Sequence, residues 1–127
     1  MHQRAANNLI SGAVVDAAMK VHTVLGPGLL ESAYRICLIH ELVKRGYKVN
    51  FEFPLPVFYD GVLLDAGYQL DLLVADTVIV EVKAVERLLP VHQAQLLSYL
   101  KLLEKPIGLL INFHELHLRD GIKRLVI

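Results

Sequence analysis

The sequence predicts an α/β fold, a mixed central sheet flanked by helices, and three observations carry that expectation. Hydrophobic residues make up 54% of the 127 positions against 20% charged, which excludes a disordered chain and suits a sheet with covered faces. Two helical patterns precede the first strand pattern. A third lies between the apolar runs Val78 to Lys83 and Ile107 to Asn112, an arrangement that lays two strands parallel through a helical crossover. A chain of this length is expected to form one domain over residues 1–127, because its core is large enough for one folding unit and short for two.

The elements follow in order. Ile10, Val14, Ala17, Ala18, Val21 and Leu25 recur along one face of an amphipathic helix running from Asn7 or Asn8 to Leu25. Gly26-Pro27-Gly28 stops it. A second helix, from about Leu29 to Arg45, carries Leu30, Ala33, Cys37, Leu38 and Leu42, with Gly46 as its C-terminal cap. Tyr47 to Tyr59 reads as two short strands or one bent edge strand, because Pro54 and Pro56 cannot donate to a central ladder. Asp60-Gly61 marks a turn.

Gln69 to Val74, the three-residue loop Ala75-Asp76-Thr77 and Val78 to Lys83 form a hairpin at the centre of the sheet. Pro90 opens a third helix, from about Val91 to Leu103, with Leu96, Leu97, Leu100 and Leu103 facing inward, and Lys105-Pro106 ends it. Ile107 to Asn112 is a continuous apolar strand. The segment Leu116 to Ile127 is expected to turn at Asp120-Gly121 and finish as an edge strand.

Composition narrows the function. With 13 basic and 13 acidic side chains there is no global positive field, so any nucleic-acid contact rests on a local patch. The single cysteine, Cys37, offers neither an internal disulfide nor a cysteine-based zinc site, and within an apolar helical pattern it reads as an inert buried thiol. His92, His114 and His117 lack the spacing of a zinc site. The polar start Met1-His2-Gln3-Arg4 and the lack of a membrane-length apolar run predict no membrane association and a cytoplasmic location. No phosphate-binding loop, nucleophile elbow or dinucleotide fingerprint is present.

The hairpin carries the chemistry. Counting outward from Val74 opposite Val78 puts Asp71 directly opposite Glu81, and two carboxylates sharing one face repel unless a cation compensates them. A divalent metal would resolve that conflict. Lys83 lies two residues beyond Glu81, on the same face roughly 7 Å along the strand. Glu31 and Tyr34, three positions apart, share a face of the second helix; Glu31 could reach the acidic pair or simply meet the positive end of the helix dipole. On the third helix His92, Gln95 and Tyr99 form a polar stripe that the crossover packs over the Glu81 strand.

The run Gly28-Leu29-Leu30-Glu31-Ser32-Ala33-Tyr34, with Asp71, Glu81-Val82-Lys83 and Gln95 downstream, resembles the small bacterial and archaeal GxxExxY family of the PD-(D/E)XK nuclease superfamily. Leu70 stands where many members have proline. The resemblance implies a restriction-endonuclease-like three-layer sandwich and a metal-dependent nuclease that hydrolyses phosphodiester bonds in DNA with a metal-activated water. It further implies that Asp71, Glu81 and the Val82 carbonyl hold Mg²⁺ or Mn²⁺, that Glu31 completes or adjoins the shell, that Lys83 orients the water, and that Gln95, supported by Tyr99, matches the helix glutamine of exonuclease-like branches. Tyr34 and His92 would support the site. The partner would be nucleic acid, with a homodimer possible through the apolar edge from Phe51 to Tyr59. The alternative is a catalytically silent nuclease-fold module that binds nucleic acid or a partner protein.

Overall fold

The computed structural model describes residues 2–64 and 67–127. Its helices are α1 (His2–Leu25), α2 (Glu31–Lys44) and α3 (Pro90–Leu103). Its strands are β1 (Val49–Pro54), β2 (Val57–Tyr59), β3 (Val62–Leu64), β4 (Gln69–Val74), β5 (Val78–Lys83), β6 (Ile107–Asn112) and β7 (Ile122–Val126). Five strands form one sheet in the order β1-β4-β5-β6-β7, in which β5 and β6 are parallel and the other neighbours antiparallel. The sheet is therefore mixed, as expected.

Two cores flank it. Leu72, Val74, Val78, Val80, Val82, Leu109 and Ile111 pack under α1 and α2 with Val14, Ala17, Leu38 and Leu42. Leu70, Leu73, Ile79 and Leu110 pack under α3 with Leu96, Tyr99 and Leu100. Helices on both faces of a sheet make three layers.

The α1–α2 turn is held by one side chain. Gly26 and Gly28 adopt φ of 69° and 101°, values that a side chain would strain. The buried Tyr34 hydroxyl donates to the Gly26 carbonyl at 2.6 Å and accepts from the Leu29 amide at 3.0 Å. Its ring stacks on Phe113 with centroids 4.6 Å apart, which ties the turn to the chain just past β6.

Several boundaries differ from the sequence expectation. Helix α1 starts at His2, ahead of Asn7, because a Gln3–Asn7 hydrogen bond of 3.0 Å extends a polar first turn that has no apolar period to reveal it. After β1 the chain leaves the main sheet, and β2 pairs with β3, a strand the sequence did not reveal, across the Asp60-Gly61 turn. Asp120-Gly121 falls in a 3₁₀ helix, Leu118–Gly121, instead of a hairpin turn. A Cβ at Gly121 would stand 2.6 Å from the Asn112 carbonyl oxygen, so the glycine serves close packing there.

Candidate active site

The hairpin register agrees with the count from its loop: Val74 opposes Val78, Leu73 opposes Ile79 and Leu72 opposes Val80. The ladder ends one step before Asp71 and Glu81. On the other side of β4, Phe51 opposes Leu72 and Phe53 opposes Leu70, while Glu52 between them takes φ 49° and pairs with nothing in that ladder. Leu70 and Leu72 consequently enter opposite cores. Regular alternation breaks at Asp71.

That break frees the Asp71 carboxylate to act at the edge of β5. Its Oδ2 accepts the Val82 amide at 2.8 Å, and its Oδ1 lies 3.8 Å from Nη1 of Arg35 on α2. The Lys83 carbonyl accepts from the Phe113 amide on the β6 side at 2.9 Å. Strand alternation therefore turns both the amide and the carbonyl of Val82 toward the β4 side, where Asp71 sits.

Glu81 faces α3 and is only 5% exposed. Burial, and then the charge and hydrogen bonding of Asp71, push its carboxyl up to about 9, with Lys83 pulling the other way. Its Oε1 is buried with no hydrogen-bond partner. Asp71, Glu81 and Lys83 thus interact as one group. On α3, Tyr99 is nearly buried in the core that holds Ile79 and Leu110, and its phenol is raised by burial and by the charges of Glu81, Tyr68 and Asp71.

The remaining sequence candidates sit on α2 and α3. Gln95 is exposed, one helical turn before Tyr99, and lines a cleft with it. His92 sits at the start of α3, where its Nδ1 accepts the Leu89 amide at 2.9 Å and so occupies a helix-capping position. Glu31 opens α2, half-buried. It does not join Asp71 and Glu81 in a three-carboxylate cage: among the described residues, no three His, Cys, Asp or Glu side chains are placed to hold a metal ion. One turn further along α2, Arg35 makes the contact with Asp71 instead. Sequence reasoning overlooked Arg35, although its four-residue spacing from Glu31 places both on one helical face.

A mixed sheet between helical layers, with an acidic pair and a lysine where β4 meets the end of β5, defines a restriction-endonuclease-like α/β domain. A family model of the PD-(D/E)XK nuclease superfamily matches residues 8–125, and the chain belongs to that superfamily. No curated protein and no solved structure matches the chain. Among the described residues, no helix is long and apolar enough to cross a membrane.

Proposed function

We propose that the protein is a divalent-metal-dependent nuclease that hydrolyses phosphodiester bonds in DNA, working through one nuclease-like domain over residues 1–127. The observation that carries this reading is Glu81: a buried carboxyl beside a second carboxylate, with one oxygen left without a partner. Such a group is expensive in the absence of a compensating cation. The donors available are all oxygens, from Asp71, Glu81 and the Val82 carbonyl, and oxygen donors suit Mg²⁺ or Mn²⁺. The signature Gly28 to Tyr34 further supports placement in the GxxExxY family.

When bound, such an ion acidifies water and stabilises charge on a phosphoryl group. The protein supplies the rest. The Val82 amide holds the Asp71 carboxylate at the strand edge. Lys83, two residues along β5 from Glu81, would offer a cation to a phosphate oxygen and orient the attacking water. Gln95 and Tyr99, one turn apart on α3, would support the site from that helix. Glu31, at the head of α2, stands one turn from Arg35 and would adjoin the metal's ligands.

A melting-temperature titration tests this reading, since a ligand that binds only the native state stabilises it. Millimolar Mg²⁺ or Mn²⁺ should raise the wild-type midpoint and leave Asp71→Ala unmoved, and cleavage of oligonucleotides should vanish in Glu81→Ala and Lys83→Ala. A folded wild type whose midpoint ignores both ions counts against it.

Arg35 standing at Asp71, in place of a third acidic side chain, favours a second reading, a nuclease-fold module that binds nucleic acid or a partner without cutting. Salt-sensitive DNA binding that persists in chelator and survives Asp71→Asn would select it. The exposed side chains of Phe51, Phe58 and Tyr59 also support a homodimer, which sedimentation would detect.

A further inference from the structure

On the α3 side of the sheet lies a cleft that includes Gln95 and Tyr99 but is otherwise lined by residues the hydrolytic chemistry does not use. It has a volume of about 310 Å³ and is lined by Leu55, Val57 and Tyr68 and, from α3, by Gln95, Ser98, Tyr99 and Leu102. That volume is at the small end of organic-ligand sites. Leu55 and Tyr99 are nearly buried and form its apolar, inner lining, whereas Tyr68 is 47% exposed and so leaves part of an aromatic side chain open to a ligand. Gln95 and Ser98 are exposed on the rim, where an amide and a hydroxyl offer both donors and acceptors.

The location is informative. Tyr99 and Leu55 line this cleft and pack in the same core as Ile79 and Leu110, and Leu110 pairs with Glu81 across the β5–β6 ladder, so the cleft and Glu81 border one core. A flat heteroaromatic group fits such a lining: apolar below, an aromatic ring at the opening, polar groups at one edge. Next to a phosphodiester site, the group of that description is the base of a neighbouring nucleotide.

We propose that this cleft is a nucleobase subsite, in which an unstacked base rests against Tyr68 while Gln95 and Ser98 meet its polar edge. This inference rests on the phosphodiester reading and narrows its substrate class. A base in a continuous duplex is stacked on both faces and cannot enter, so the favoured substrate is a single strand, a frayed end or a flap. Stacking on a tyrosine tolerates any base, which makes the preference one of strandedness and not of sequence.

The test is equilibrium binding of a labelled single-stranded oligonucleotide and of the matching blunt duplex, in a Lys83→Ala background that silences cleavage. Tyr68→Ala should weaken single-strand binding about tenfold or more, Tyr68→Phe should keep it within about twofold, and duplex binding should be the same in all three. Replacing one base at a time by an abasic spacer should reproduce the loss at a single position. Equal single-strand affinity for Tyr68→Ala and its parent overturns the subsite, as does a parent that prefers the duplex. The metal-induced rise in melting temperature, measured on the protein with Lys83 intact, does not depend on Tyr68, so its absence would reject the nuclease reading separately. Tyr68 is half exposed, and an unchanged metal-free melting point of Tyr68→Ala will show that the fold is intact.

Discussion

Glu81 is a carboxyl group that the fold has taken out of water without a full set of partners. Its ordinary value near 4.5 rises to about 9, through burial first and Asp71 second. Between those two values the folded chain holds a proton that the unfolded chain has released, so the metal-free protein loses stability as pH rises, by at most about 1.4 kcal/mol per pH unit. The contribution is whole below the unfolded value and is progressively lost toward the folded one. Glu81→Gln, neutral at every pH, should flatten that slope and stabilise the metal-free protein at pH 8 by about 1–3 kcal/mol. Urea midpoints in chelator from pH 5 to pH 9 will show it, and parallel profiles for the two proteins would contradict the assignment. Arg35 poses the complementary question. At 3.8 Å from Asp71, with about a fifth of its side chain exposed, it competes with a metal for the same carboxylate. An ion pair of this partly solvated kind contributes about 0.2–1 kcal/mol. Arg35→Ala should therefore tighten Mg²⁺ binding by up to about fivefold in a calorimetric titration; weaker binding would mean that Arg35 organises the site instead of guarding it.

Elements differ in how openly the sequence declares them. The β4–β5 hairpin was legible to the residue, because a three-residue loop in which Ala75 and Asp76 take φ of 51° and 56°, backed by a 2.8 Å hydrogen bond from the Thr77 hydroxyl to the Ala75 carbonyl, leaves one register. The fate of Asp71 was not. Its departure from alternation lies opposite the left-handed residue Glu52 in a different strand, and no local pattern in β4 encodes a neighbour's bend. Strand β3 was missed for a related reason: Val62, Leu63 and Leu64 are all exposed, so there is no in-and-out period to read. Arg35 could have been found from its spacing, but an arginine on a helix is ordinary until an acid is seen opposite it. One close approach was invisible in sequence and has a measurable consequence. Gly108 in β6 lies under α3, and a Cβ there would meet the Leu96 side chain at 2.9 Å. Gly108→Ala should cost about 1–3 kcal/mol by overpacking, read as a shifted urea midpoint. Because both partners fill one space, Leu96→Val should cost less in that background than in the wild type; strict additivity would show that α3 had already moved away.

For the molecule as a whole, charge balance decides how it meets nucleic acid. Thirteen cations and thirteen anions cancel, so long-range attraction to a polyanion is weak and capture must rely on the few cations near the acidic pair. Among the described residues, Arg35 on α2 contacts Asp71 and Lys83 on β5 acts on Glu81. Every phosphate neutralised by a protein cation releases condensed counterions, and for a single strand the logarithm of the binding constant falls against the logarithm of salt with slope about −0.7 per contact. Two or three contacts predict a slope of about −1.4 to −2. Most of the remaining affinity must then come from terms that salt does not screen, stacking in the Tyr68 cleft above all. Anisotropy titrations of a single strand between 50 and 200 mM salt, about the range over which such slopes are read, separate the contributions. Arg35→Ala should reduce the slope by about 0.7 with a modest loss of affinity, whereas Tyr68→Ala should lower affinity at every salt concentration and leave the slope unchanged. A wild-type slope steeper than about −5 would require seven or more phosphate contacts, a basic surface far wider than these two side chains, and would move the binding face away from the acidic pair.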